Sequence, residues 1–111
     1  MPKELPACPV EITLQLISNK WTVLIIRELS TGTKRFGELK KSLENITQKV
    51  LTHNLKEMEK NGLIMRKVYP EVPPRVEYSL TEIGLSLQPI LDSMFKWGNN
   101  YRENQIQIEK M

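Results

Sequence analysis

Apolar residues recur at helical spacing up to about residue 58, give way to strand-like segments between 63 and 80, and return to helical spacing afterwards. Val10, Leu14 and Ile17 share one face of a first helix, with Pro9 at its first position and Cys8 at its cap. Trp21, Leu24, Ile25 and Leu29 predict a second helix over residues 21–29, capped by Asn19 and ended by Gly32, with those four side chains in the core. Phe36, Leu39 and Leu43 give a short third helix that closes near Glu44 and Asn45, and Ile46 plugs the turn after it. Leu51, Leu55 and Met58, at i, i+4 and i+7, predict a central helix over residues 47–60, capped by Thr47 and stopped by Asn61-Gly62. Two short helices joined by a tight turn make a helix-turn-helix pattern.

Two segments rich in Val, Ile, Tyr and Leu follow, Leu63 to Tyr69 and Arg75 to Leu80. They flank Pro70-Glu71-Val72-Pro73-Pro74, which cannot continue a ladder but makes a stiff tip, so a β-hairpin over residues 63–80 is predicted. The second strand alternates; the first does not declare its facing, because Leu63, Ile64 and Met65 are all apolar. A last helix over residues 81–102 is capped by Thr81, with a kink at Pro89 or a restart near Ser86. Its Ile83, Leu87, Ile90, Met94, Trp97 and Tyr101 step by 4, 3, 4, 3, 4, and Leu91 and Phe95 widen the stripe. That stripe is wider than one small domain covers, which predicts a two-fold homodimer; the alternative is that it closes only onto its own domain. The polar tail after Arg102 is expected to fray.

A chain of 111 residues with 40% hydrophobic and 26% charged residues suits a single domain spanning residues 1–111. The longest aliphatic run, Val23 to Ile26, is too short to cross a bilayer, and the first residues have no apolar export segment. A single cysteine excludes an internal disulfide framework, and a cytoplasmic location is expected. The net charge of +3 hides a segregation: residues 34–75 carry ten Lys/Arg against five Asp/Glu, and the rest six against eight. A local excess of +5 beside −2 elsewhere points to a polyanionic partner, with a merely solvated face as the alternative.

The central helix sharpens this. A helix dipole favours acids in the first turn, yet Lys49 stands there and Glu57 and Glu59 come late. Gln48, Lys49, Thr52, His53 and Lys56 form a stripe opposite the apolar face, of types that donate to bases and phosphates. A helix that presents its N-terminal turn to the DNA major groove explains an early cation. Arg66, Lys67 and Arg75 on the hairpin extend the footprint, with Lys67 and Arg75 expected on phosphates. A lone His53 and a lone Cys8 make no catalytic set and no structural zinc site, so neither enzyme activity, metal nor cofactor is expected. Cys8 lies where free N–H groups and a positive dipole end favour thiolate; a reactive sensor and a buried structural cap both stay open.

Several runs carry a resemblance. Cys8-Pro9-Val10-Glu11, Lys20-Trp21-Thr22, Arg35-Phe36-Gly37-Glu38-Leu39, Ile46-Thr47-Gln48-Lys49-Val50-Leu51-Thr52 and Asn61-Gly62-Leu63-Ile64 occur in order, followed by the hairpin run from Tyr69 to Thr81. Together they resemble the HxlR-type winged helix-turn-helix regulators, relatives of the MarR group, with Asn19 where glycine is usual and Thr47 where serine is usual. The resemblance implies a mainly α fold with a small β-hairpin wing and N- and C-terminal dimerisation helices. It further implies a homodimeric, non-enzymatic regulator, more often a repressor, on a pseudo-palindromic double-stranded operator. Some members of that family sense electrophiles or oxidants through a cysteine at the position of Cys8. Other readings are a winged-helix protein-interaction module and a constitutive DNA-binding regulator without a redox switch. A small-molecule effector is not identified by the sequence.

Overall fold

Pro9–Ile17 (α1) and Lys20–Leu29 (α2) open the fold in the computed structural model, which describes residues 4–110. They are followed by Lys34–Arg35 (β1), Phe36–Ser42 (α3), Gln48–Lys60 (α4), Ile64–Tyr69 (β2), Arg75–Leu80 (β3), Glu82–Leu85 (α5) and Gln88–Lys110 (α6). Residues 1–3 and 111 of the expected single domain lie outside the described residues. No described helix is long and apolar enough to cross a membrane.

The predicted helices form where caps and periodicity place them. Asn19 accepts from the Trp21 amide at 2.8 Å, and Thr47 accepts from Val50 at 3.1 Å. At Cys8 the cap position holds, but its side chain makes no capping hydrogen bond. The core face of α2 is Thr22, Ile25, Ile26 and Leu29, rotated from the expected one. Trp21 and Leu24 flank that stripe and are only half-buried, and the Lys20 ammonium covers the Trp21 ring at 4.7 Å. Leu51, Leu55 and Met58 are buried as predicted, each contributing about 1.5–3 kcal/mol by removal from water.

Between α3 and α4 the chain turns through Asn45 at φ 72, a left-handed conformation Asn tolerates, while Ile46 closes the turn from inside. Gly62 at φ 77 ends α4: its amide bonds the Glu59 carbonyl and the Leu63 amide bonds that of Met58, which redirects the chain into β2.

The sheet has three antiparallel strands in the order β1-β3-β2, so the expected hairpin gains a short outer strand from residues 34–35. Register settles the open question of β2. Ile64 pairs with Leu80, Arg66 with Tyr78 and Val68 with Val76 on the face toward the helices; Lys67 pairs with Glu77 and Tyr69 with Arg75 on the outer face.

The last helix restarts rather than kinks. Ser86 ends α5, and Pro89 falls in the first turn of α6, where its missing N–H costs nothing. Gly84 lies against the start of β2: a Cβ there would collide with the Leu63 carbonyl and touch Leu80. The expectation of a frayed tail is corrected. Residues 103–110 are helical, as their Glu, Gln and Lys content favours. Leu87 and Leu91 enter the chain's own core, whereas Ile90, Met94, Phe95, Trp97, Tyr101 and Ile106 stay exposed, as do Val10 and Leu14 on α1.

Candidate nucleic-acid interface

The outer stripe of α4 is a surface, not a filled face. Gln48, Lys49, Thr52, His53 and Lys56 together line a shallow open groove, with Thr52 alone half-buried. Thr47 satisfies the Val50 amide, so the amides of Gln48 and Lys49 stand at the positive end of the helix beside that groove. The Lys49 cation and the helix terminus thus put charge of the same sign at one end of the groove.

A deeper cleft of about 550 Å³ separates α4 from the sheet, and Gln48, Thr52, Lys56, Glu59 and Arg66 contribute its polar lining. Arg66 is the wing cation that shares walls with the α4 stripe, although the sequence assigned it only to the general footprint. Strand parity would have found it, had the apolar run 63–65 not hidden which residues face inward.

Lys67 and Arg75 are placed on the other face of the sheet. The Lys67 ammonium lies 4.9 Å from the Tyr69 ring centroid, in an exposed position. Arg75 is held within the chain. Its guanidinium stacks on Tyr69 at 3.9 Å and is 3.3 Å from Glu71 and 3.6 Å from Glu77, the latter beyond hydrogen-bond reach for Nε. Glu77 is also paired across the sheet with Arg35 and with Lys67 in the strand register. The two carboxylates beside Arg75 offset its charge, so this face of the wing is less positive than its count of cations suggests.

His53 lies at one edge of the stripe, where it borders a polar hollow between α4 and the α1–α2 turn. No group of His, Cys, Asp or Glu suited to a metal ion occurs among the described residues. Cys8 is a free, exposed thiol at the start of α1, remote in sequence from the stripe.

The HxlR-like helix-turn-helix family matches residues 16–106 of this chain. The chain belongs to the HxlR family. Among HxlR relatives, the uncharacterized HTH-type transcriptional regulator YdeP of Bacillus subtilis is 46% identical over 102 residues, covering 92% of this chain and 80% of its own. The solved structure of the regulator ytcD superposes with a TM-score of 0.83 at 49% identity, over 86% of this chain and 98% of that one. The redox regulator HypR in its oxidized form superposes at 0.78 with 46% identity, over 84% and 96% of the two chains. The fold is therefore a winged helix-turn-helix, and this HxlR-family protein is a transcriptional regulator of the helix-turn-helix type and not an enzyme.

Proposed function

We propose that this protein is a sequence-specific double-stranded DNA-binding repressor that works as a homodimer in the cytoplasm. The observation that carries the reading is the α4 stripe: donor side chains on an exposed face, at the positive end of a helix, beside a cleft that holds Arg66. In this reading Gln48, Lys49, Thr52 and His53 approach base edges in the major groove, and Lys56, Arg66 and Lys67 take phosphates. Arg75, expected on a phosphate, instead stiffens the wing through Tyr69, Glu71 and Glu77. Exposed apolar residues support the second copy: Ile90, Met94, Phe95, Trp97 and Tyr101 on α6, with Val10 and Leu14 on α1. Ile83 is also exposed, whereas Leu87 is committed to the core.

Titration of a labelled duplex across a salt series tests the reading. Affinity that falls steeply with salt, with a preferred sequence bound at least about 10³-fold above random DNA, is expected. Salt-independent binding, or none, overturns it in favour of a protein-interaction module.

A second reading is favoured by the free thiol of Cys8, exposed and without a capping bond, together with the similarity to the redox regulator HypR. An oxidant such as diamide would take two electrons and two protons from two thiols, Cys8 and either its counterpart in the second copy or a small thiol, and leave a disulfide. Diamide treatment releases wild-type protein from DNA and leaves Cys8→Ser bound. Confirmed oxidation with unchanged binding makes the regulator constitutive.

A further inference from the structure

Among the described residues, Thr22 and Asn54 are the buried polar side chains, 6% and 4% exposed, and they meet each other. Asn54 lies on the core face of α4, between Leu51 and Met58. At about 100° per residue it lies roughly 170° around the helix from the centre of the Gln48–Lys56 stripe. Its Nδ2 donates to the Val50 carbonyl at 2.8 Å, which fixes the amide plane and turns Oδ1 toward α2. The Thr22 hydroxyl donates to that oxygen at 3.5 Å, a long contact whose value lies in direction rather than strength. Because Val50 also donates its own amide to Thr47, a chain of hydrogen bonds runs from the α4 N-cap through Val50 and Asn54 to α2.

We infer that Asn54 and Thr22 are positioning residues that fix the rotation of α4 about its axis, and thereby which base sequence the exposed stripe reads. This rests on the DNA-binding reading above. Leu51, Leu55 and Met58 pack without direction, so alone they tolerate small rotations of the helix. A rotation of about 10° at a radius of about 6 Å moves a side-chain tip by about 1 Å. That is enough to break a bidentate base contact. A buried polar pair costs stability relative to an apolar one, and its best-attested use is to specify one arrangement among several.

The test uses the full chain and two duplexes of equal length: one selected by the wild type from a randomised pool, and its scrambled counterpart. Thr22→Val exchanges the hydroxyl for a methyl at nearly constant shape; Thr22→Val with Asn54→Leu makes the contact apolar throughout; Thr22→Ser keeps the hydroxyl. Melting curves establish that each variant is folded. The selected-to-scrambled affinity ratio is expected to fall roughly three- to tenfold for Thr22→Val and the double variant, with affinity for the scrambled duplex unchanged. Thr22→Ser is expected to retain the wild-type ratio. Equal losses on both duplexes, or a lowered melting temperature with an unchanged ratio, reduce the pair to a structural role and overturn the inference. If the wild type itself neither discriminates nor responds to salt, the DNA-binding reading fails and this inference with it. A discriminating wild type beside an equally discriminating folded variant overturns this inference alone.

Discussion

What a cation does depends on what already surrounds it. Arg75 and Arg66 both belong to the wing, yet one stacks on Tyr69 beside two carboxylates and the other lines the α4 cleft. These ion pairs are partly exposed, and surface pairs are worth about 0–1 kcal/mol each, so the Arg75 group steers geometry more than stability. Arg66→Ala is expected to lower the slope of log affinity against log salt by about one, while Arg75→Ala leaves it near the wild-type value. Anisotropy titrations at several salt concentrations decide this; identical slopes for the two variants would return Arg75 to the phosphates. Gln48→Ala should cost about 1–3 kcal/mol on the preferred duplex and little on random DNA. Equal losses on both would remove Gln48 as a base reader.

Among the elements, α4 was legible because period, cap and stop signal agree over thirteen residues. The two residues of β1 are too few for any period, and they acquire strand geometry only from β3. In α2 the core face is Thr22, Ile25, Ile26 and Leu29 and not the face through Trp21 and Leu24 to which the apolar spacing points. Thr22 looks polar and outward until its partner Asn54, 32 residues away, is known, and no local pattern carries that pairing. The α4 stripe was fully legible as a surface, whereas the division of Arg66, Lys67 and Arg75 between the two sheet faces needed the register. The junction of wing and α5 allows a stability prediction. The Thr81 hydroxyl donates toward the Gly62 and Leu63 carbonyls, and Gly84 leaves room for the latter. Gly84→Ala therefore forces backbone apart and is expected to cost about 1–3 kcal/mol, read as a lowered melting temperature. An unchanged melting temperature would show that the start of β2 shifts freely.

The whole molecule is long and narrow, 61 × 36 × 23 Å, because α6 runs past the body of the fold. Its exposed Met94, Trp97 and Tyr101, the latter two stacked at 5.3 Å, are the surface on which the proposed dimer depends. Met94 is 48% exposed, so Met94→Asp leaves the monomer folded while placing a charge in the contact. Sedimentation should then give a monomer where the wild type gives a dimer, and affinity for a duplex with two half-sites should drop by about 10²-fold or more. A wild-type monomer at micromolar concentration would remove the premise.

Mechanically, α6 is a lever with a short pivot. It spans 23 residues, about 35 Å, yet among the described residues only Leu91 near its root, with Leu87 just before it, is a buried apolar side chain there. In a dimer clasped along the outer shaft, a tilt of about 5° at that root swings the reading head by about 3 Å. In the proposed dimer the gap between two half-sites would then be set by an angle at residues 86–91, and a change in the shape of Leu87 or Leu91 is expected to retune the preferred spacing while the α4 stripe stays unaltered.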